Sequence, residues 1–118
     1  MRELILAIAL VAAVPTASLA ADAEAGKTVF HKCQACHQLG KNAVGPNLVG
    51  VVGRKAGTAP GFNYSEAVKN SGVTWDEANL NEWLQGPKQK IPGTKMIFAG
   101  LKDDTDRANV IEYLKTLK

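Results

Sequence analysis

The 118-residue sequence has room for one domain, and its 46% apolar content is ordinary for a chain that folds around a core. A formal net charge of +3, carried by scattered rather than clustered lysines and with no recognition motif beside them, argues against a nucleic-acid-binding protein.

Residues 4–14 are almost wholly apolar, preceded by Arg2 and followed by Pro15, with the small-residue triplet Ser18-Leu19-Ala20 behind them. This layout predicts a signal peptide over residues 1–20, cleaved after Ala20 or Ala21, and one domain over residues 21–118 exported to the periplasm. The apolar core of about 11 residues falls short of the ~20 a spanning helix needs, so no stable membrane insertion is expected. Glu3 weakens the basic start and leaves an uncleaved anchor as the alternative. Removing the signal leaves ~98 residues, a size at which a polypeptide core alone is marginal and a buried prosthetic group would add apolar surface. Arg2 and Glu3 cancel, so the exported chain stays mildly basic, which suits an acidic protein partner.

From Asp22 a short helix is predicted, with Asp22 as N-cap and Ala23, Glu24 and Ala25 in the first turn. Gly26 and Phe30 lie four apart and share a face. Glycine inside a helix costs up to about 1 kcal/mol relative to alanine, so a close helix crossing at Gly26 is the expected reason for it; simple tolerance is the alternative.

Next comes Cys33-Gln34-Ala35-Cys36-His37. Two thiols three positions apart can each add across a vinyl group of one haem, and the adjoining histidine can reach the iron. A thioredoxin-like pair would use the same spacing but needs a strand before it and a βαβ frame, which this sequence lacks. A structural zinc site needs four ligands, and His37 is poorly spaced to share a tetrahedral ion with its neighbour Cys36. A plain disulfide remains as the bland alternative. His31 would sit well round a helix from the haem side and reads as a solvated surface residue.

Glycine, proline and asparagine make residues 40–48 a loop. A ligating histidine commonly gives its second ring N–H to a backbone carbonyl, and Pro46 is the natural candidate acceptor, although a simple turn proline fits equally. Gly50, Gly53, Gly57 and Gly61 keep the following stretch irregular, with no alternating strand. Residues 65–69 predict one or two helical turns. A better helix is expected from Thr74, with Glu77 three positions on as a capping box, running through Leu80, Trp83 and Leu84 until Gly86 and Pro87 stop it. Trp75 carries an N–H that needs a partner if buried; a haem propionate or ordinary packing would each account for it.

Met96 is the only methionine once Met1 leaves with the signal. A lone loop methionine is normally filler, but beside a Cys-x-x-Cys-His motif a soft thioether between Pro92-Gly93 and Gly100 is placed to meet the iron opposite His37. The last element is the clearest helix: Asp103 or Asp104 caps it, Asp106 favours its N-terminal dipole, and Val110, Ile111, Leu114 and Leu117 form one apolar stripe. Tyr113 can pack toward the first helix at Gly26.

With these residues in place, the chain resembles the class I c-type cytochromes, bacterial periplasmic electron carriers related to mitochondrial cytochrome c. The likeness rests on Cys33-x-x-Cys36-His37, Gly45-Pro46-Asn47-Leu48, Arg54, Tyr64, Trp75 and the run from Ile91 through Pro92, Gly93, Thr94, Lys95, Met96, Ile97, Phe98 and Ala99 to Gly100. The resemblance implies an all-α small cytochrome c fold with its N- and C-terminal helices crossing around one covalent haem c. Thioether bonds at Cys33 and Cys36, axial ligation by His37 and Met96, and Pro46 as acceptor for the histidine's second nitrogen are likewise implied. So is a propionate surrounded by Arg54, Tyr64 and Trp75, with Thr94 beside the other propionate and Phe98 over the haem near its exposed edge. Trp83 and Val68 depart from the family, which commonly has tyrosine and asparagine there.

The resulting expectation is a soluble, monomeric periplasmic one-electron carrier, not an enzyme. By resemblance its redox partners would be a cytochrome bc complex, a terminal oxidase, a photosynthetic reaction centre or a periplasmic dehydrogenase. Lys32, Lys41, Lys88, Lys90, Lys95 and Lys102 fall on both sides of the haem segments and would place positive charge around an exposed haem edge. The rival functions are a small haem enzyme or gas sensor, which would leave Met96 off the iron, and an exported thiol-disulfide protein without haem.

Overall fold

The computed structural model describes residues 20–118, so the expected signal peptide lies almost wholly outside the described residues. Among the described residues, five helices make up the regular structure: α1 (Ala23–Phe30), α2 (Glu66–Lys69), α3 (Glu77–Gln85), α4 (Pro87–Lys90) and α5 (Asp104–Lys115). Among the described residues there is no strand, and a single antiparallel bridge pairs Lys55 with Thr74. The all-α expectation holds.

The frame is the crossing of α1 with α5. Asp22 caps α1 by accepting the Glu24 N–H at 2.8 Å, and its own N–H donates to Asn109 Oδ1 on α5, also at 2.8 Å. Gly26 is buried at the crossing, where a Cβ would overlap the Asn109 carbonyl and come within 2.9 Å of Tyr113 Cβ. The packing reason for this glycine is therefore the absence of a side chain. One turn on, the Phe30 and Tyr113 rings tilt together with centroids 5.2 Å apart. Phe30, Val110 and Ile111 are each no more than 2% exposed, which makes this contact the dry centre of the fold. Asp103 caps α5 by accepting the Asp106 N–H at 2.9 Å, and Lys115 sits in the last turn, where the helix dipole favours a cation.

Two local expectations need correcting. The cap of α3 is Asp76, which accepts the Asn79 N–H at 2.8 Å, and not Thr74. Thr74 is instead bridged to Lys55, and its carbonyl accepts from Asp76 N and Asn79 Nδ2 at 2.8 Å each. A carboxylate two residues nearer the helix wins the orphan N–H. Gly86 and Pro87 do end α3, but Pro87 also opens a further turn, α4, as its first residue, where its missing N–H is no loss. The turn α2 is capped by Ser65, whose hydroxyl accepts the Val68 N–H at 3.1 Å.

Val51, Ala56, Val68, Trp75, Leu80, Leu84, Ile91 and Leu101 continue the core from α5 across α3 and the irregular 50s stretch. Cys33, Leu48, Tyr64 and Phe98 pack against it from partly buried positions.

Candidate functional site

The chain does not straighten after α1. Tight bonds from His31, Lys32 and Cys33 N–H back to Thr28, Val29 and Phe30 O, at 3.2, 3.1 and 2.8 Å, carry it into another turn. There Cys33 O accepts from both Cys36 N (3.1 Å) and His37 N (2.8 Å). Residues three and four apart in a helical turn lie on one face, so Cys33, Cys36 and His37 share a side while Gln34 and Ala35 are exposed.

His37 is buried, at 8% exposure. Its Nδ1 lies 3.0 Å from Pro46 O, and because a carbonyl only accepts, Nδ1 carries the proton and Nε2 the lone pair. Gly45 closes the cradle: its N–H donates to Cys36 O at 2.7 Å, and a Cβ on it would lie 2.6 Å from Nδ1 and 2.8 Å from Nε2. Burial pushes the imidazole below its ordinary value while the Pro46 bond pulls it back, so the net effect favours the neutral ring, the form that can bind a metal.

Cys33 is half-buried, Cys36 is exposed, and neither is in a disulfide. Burial and then the neighbouring Cys36 push the Cys33 thiol up, with Lys32 opposing. Redox-active Cys-x-x-Cys pairs work through a lowered thiol, so the raised Cys33 runs against the thioredoxin-like alternative, and among the described residues there is no βαβ frame to carry it.

Met96 is half-buried within a loop bounded by Ile91 and Leu101, 5% and 4% exposed. Its N–H donates to Thr94 Oγ1 at 3.2 Å, so Thr94, expected beside a propionate, also shapes the methionine backbone. Phe98 is packed on the core two residues further on, and Ile97 between them is 91% exposed.

Of the three residues implied for one propionate, Arg54 and Trp75 are joined through the backbone, since Trp75 N–H donates to Arg54 O at 2.8 Å. The Arg54 guanidinium reaches Asn47 O at 2.9 Å and Val49 O at 3.3 Å, which ties it to the loop that carries Pro46. Tyr64 Oη accepts the Ala59 N–H at 3.0 Å and keeps its own proton to give. Trp75 is buried against Trp83, centroids 5.1 Å apart, and Val68 is buried nearby in the same core cluster. His31 is exposed, as expected.

The donor set fits a haem. A lone-pair nitrogen held by Pro46 and Gly45, two free thiols on the same face and a thioether on a separate loop are the groups such a cofactor takes. Two features escaped sequence reading. Lys90, counted among the lysines around a haem edge, is spent on Glu82 and on Asn79 Oδ1 (2.9 Å). Arg107 is 3% exposed, with Nε on Asn81, Nη1 on Leu101 and Nη2 on Asp104; it falls three and four residues before Val110 and Ile111, on the buried stripe of α5, and that register is the signal by which it could have been found.

Comparison with known proteins agrees with this geometry. The family model for cytochrome c matches residues 23–118. The chain is 55% identical over 102 residues to cytochrome c2 of Rhodoblastus acidophilus, covering 84% of this chain and 95% of that one. It is 48% identical over 118 residues to cytochrome c2 of Blastochloris viridis, covering 98% and 93%. The solved structure of cytochrome cH from Methylobacterium extorquens superposes with a TM-score of 0.79 at 54% identity, over 80% of this chain and 98% of that one.

Proposed function

The chain belongs to the cytochrome c family, electron-transfer proteins with one covalent haem c, and on that premise we propose that Cys33 and Cys36 form the thioether bonds and that His37 Nε2 and Met96 Sδ take the axial positions. The observation that carries this reading is the His37 cradle: Nδ1 fixed by Pro46 O at 3.0 Å, with Gly45 leaving room for the ring, so that only Nε2 remains to bind.

When bound, the haem supplies an iron that changes by one electron between ferrous and ferric. The Pro46 bond raises the basicity of Nε2 and fixes the ring plane. The Met96 thioether favours the softer ferrous state and so raises the potential. With His37 Nε2 and Met96 Sδ both holding the iron, the chain itself would occupy the positions a substrate could otherwise use, in keeping with an electron carrier rather than an enzyme. Arg54, Tyr64 and Trp75 serve one propionate, Tyr64 through its remaining O–H. Thr94 serves the other, and Phe98 shields the ring.

The working place of this carrier is the periplasm, reached by cleavage after Ala20 or Ala21, and among the described residues no helix is long and apolar enough to cross a membrane. Its partners are acidic redox proteins, among them a cytochrome bc complex, a terminal oxidase, a photosynthetic reaction centre or a periplasmic dehydrogenase. Lys32, Lys41 and Lys88 are exposed beside the haem segments, and the exposed apolar groups Val44 and Ile97 adjoin Gly45 and Met96. Such a mixed surface steers by charge and settles by apolar contact.

Intact mass and absorption of the protein made with a cytochrome c maturation system test the reading. A chain beginning at Ala21 or Asp22 with one covalent haem and a far-red sulfur-to-iron band in the ferric state is expected. A colourless chain, or a haem without that band, would overturn the ligand assignment.

A further inference from the structure

The loop that holds Met96 has little to hold itself. Between Ile91 and Leu101 the loop's hydrogen bonds fall in its first half: Thr94 N–H to Ile91 O at 3.1 Å, Met96 N–H to Thr94 Oγ1 at 3.2 Å and Lys95 Nζ to Asn63 O at 3.4 Å. After Met96, Ile97 and Ala99 are exposed, and among the described residues the next backbone bond is at Leu101. Leu101 is held on both sides of its peptide. Its N–H donates to Leu84 O on α3 at 2.7 Å, and its carbonyl accepts from Arg107 Nη1 on α5 at 2.8 Å.

Arg107 is committed to this task. It is 3% exposed, its Nε donates to Asn81 Oδ1 on α3 at 2.9 Å, and Nη2 meets the exposed carboxylate of Asp104. Burying a guanidinium is costly unless its donors are satisfied, and here three of them are satisfied by three separate segments. A bond from a charged donor to a buried carbonyl is also stronger than a neutral one. The electron-transfer chemistry makes no direct use of this residue.

We propose that Arg107 is a positioning residue for Met96: by clamping the Leu101 carbonyl to α3 and α5 it anchors the far end of the methionine loop and keeps the thioether on the iron. The inference rests on the proposed ligation by Met96. Opening of the loop must then break the Arg107–Leu101 bond, whereas ties elsewhere between α3 and α5 survive it.

Exogenous imidazole reads that opening directly, because it binds ferric iron only when Met96 has left, so its apparent affinity scales with the open fraction. Global stability is followed in parallel by denaturant unfolding. Arg107→Lys keeps the charge but cannot reach three acceptors at once, and Asn81→Ala removes only the Nε partner. Lys115→Gln is the control; it cuts the 3.0 Å tie between α5 and Glu77 of α3 without touching Leu101.

Losing a buried bond from a charged donor shifts an equilibrium about tenfold or more, so Arg107→Lys is expected to raise imidazole affinity about tenfold, by the same factor as it raises global unfolding. Asn81→Ala should do so to a lesser degree. Lys115→Gln should change unfolding alone. If Arg107→Lys destabilises the fold while imidazole affinity stays at the parent value, Arg107 is only structural and the inference is overturned. A parent protein lacking the far-red band would instead remove Met96 ligation itself, which separates that failure from this one.

Discussion

The two sides of the haem site are built by different physics. On the His37 side everything is local: one helical turn aligns both thiols with the imidazole, and a partner nine residues on fixes the ring at 3.0 Å. On the Met96 side the proposed ligand rides a loop whose own bonds are few and whose ends are tied to α3, α4 and α5. A site organised by sequence neighbours and covalent bonds persists while the fold loosens. One organised by distant anchors follows the stability of those anchors.

The sharpest way to break the His37 side is to fill its cradle. Gly45→Val puts carbon into the space of the imidazole, where even a Cβ would lie 2.6 Å from Nδ1, so the ring must leave Pro46. Loss of several kcal/mol, or of holoprotein altogether, is expected by denaturant unfolding and by the yield of covalent haem. Met96→Ala breaks the other side more gently: Cys33, Cys36 and His37 still hold the haem, while the potential falls and small ligands bind. Redox titration and ligand-binding spectra measure it, and an unchanged far-red band would show that Met96 is not the ligand.

Between these lies the frame shared by both sides. Gly26→Ala pushes a methyl into the Asn109 carbonyl, and overpacking of this kind costs about 1–3 kcal/mol, visible as an earlier unfolding midpoint with haem attachment intact. Smaller still is the polar tuning of the methionine side. Trp83→Tyr with Val68→Asn offers polar partners in a region now occupied by a tilted tryptophan pair and a buried valine. The double variant should change the potential or the pH at which Met96 is displaced. Equality with the parent in both would mean the two substitutions are electronically silent.

The slightest effect concerns docking charge. Lys88→Gln with Lys95→Gln should flatten the salt dependence of electron transfer to an acidic partner, and Lys118→Gln should not, because screening acts within a Debye length of ~10 Å at 0.1 M salt. Rates independent of salt would move the contact to the apolar surface around Ile97 and Phe98.

What could be read without coordinates follows the same divide. Asp22, Asp103 and the His37–Pro46 bond were legible as short-range patterns, the last two beside an alternative each, and the long-range crossing was anticipated from Gly26 and Phe30 sharing one helix face. The cap of α3 was misplaced because Thr74 and Asp76 both satisfy local rules, and only the bridge to Lys55 decides between them. Pro87 reads as a stop or a start with equal local logic, and α4 shows that it is both. Lys90 and Arg107 were missed for a different reason: Lys90 meets Glu82 and Asn79, 8 and 11 residues away, and Arg107 meets Asn81, 26 residues away, and a lone cation does not tell which distant carbonyl or carboxylate will meet it.

The most direct test of a locally fixed histidine side and a remotely anchored methionine side is a denaturant titration of the ferric holoprotein with two probes, the far-red sulfur-to-iron band and the far-UV helix signal. The band is expected to vanish at a lower denaturant concentration than the helices, with the haem still attached through Cys33 and Cys36. Coincident loss of band and helix would place both ligands in one cooperative unit and contradict the account.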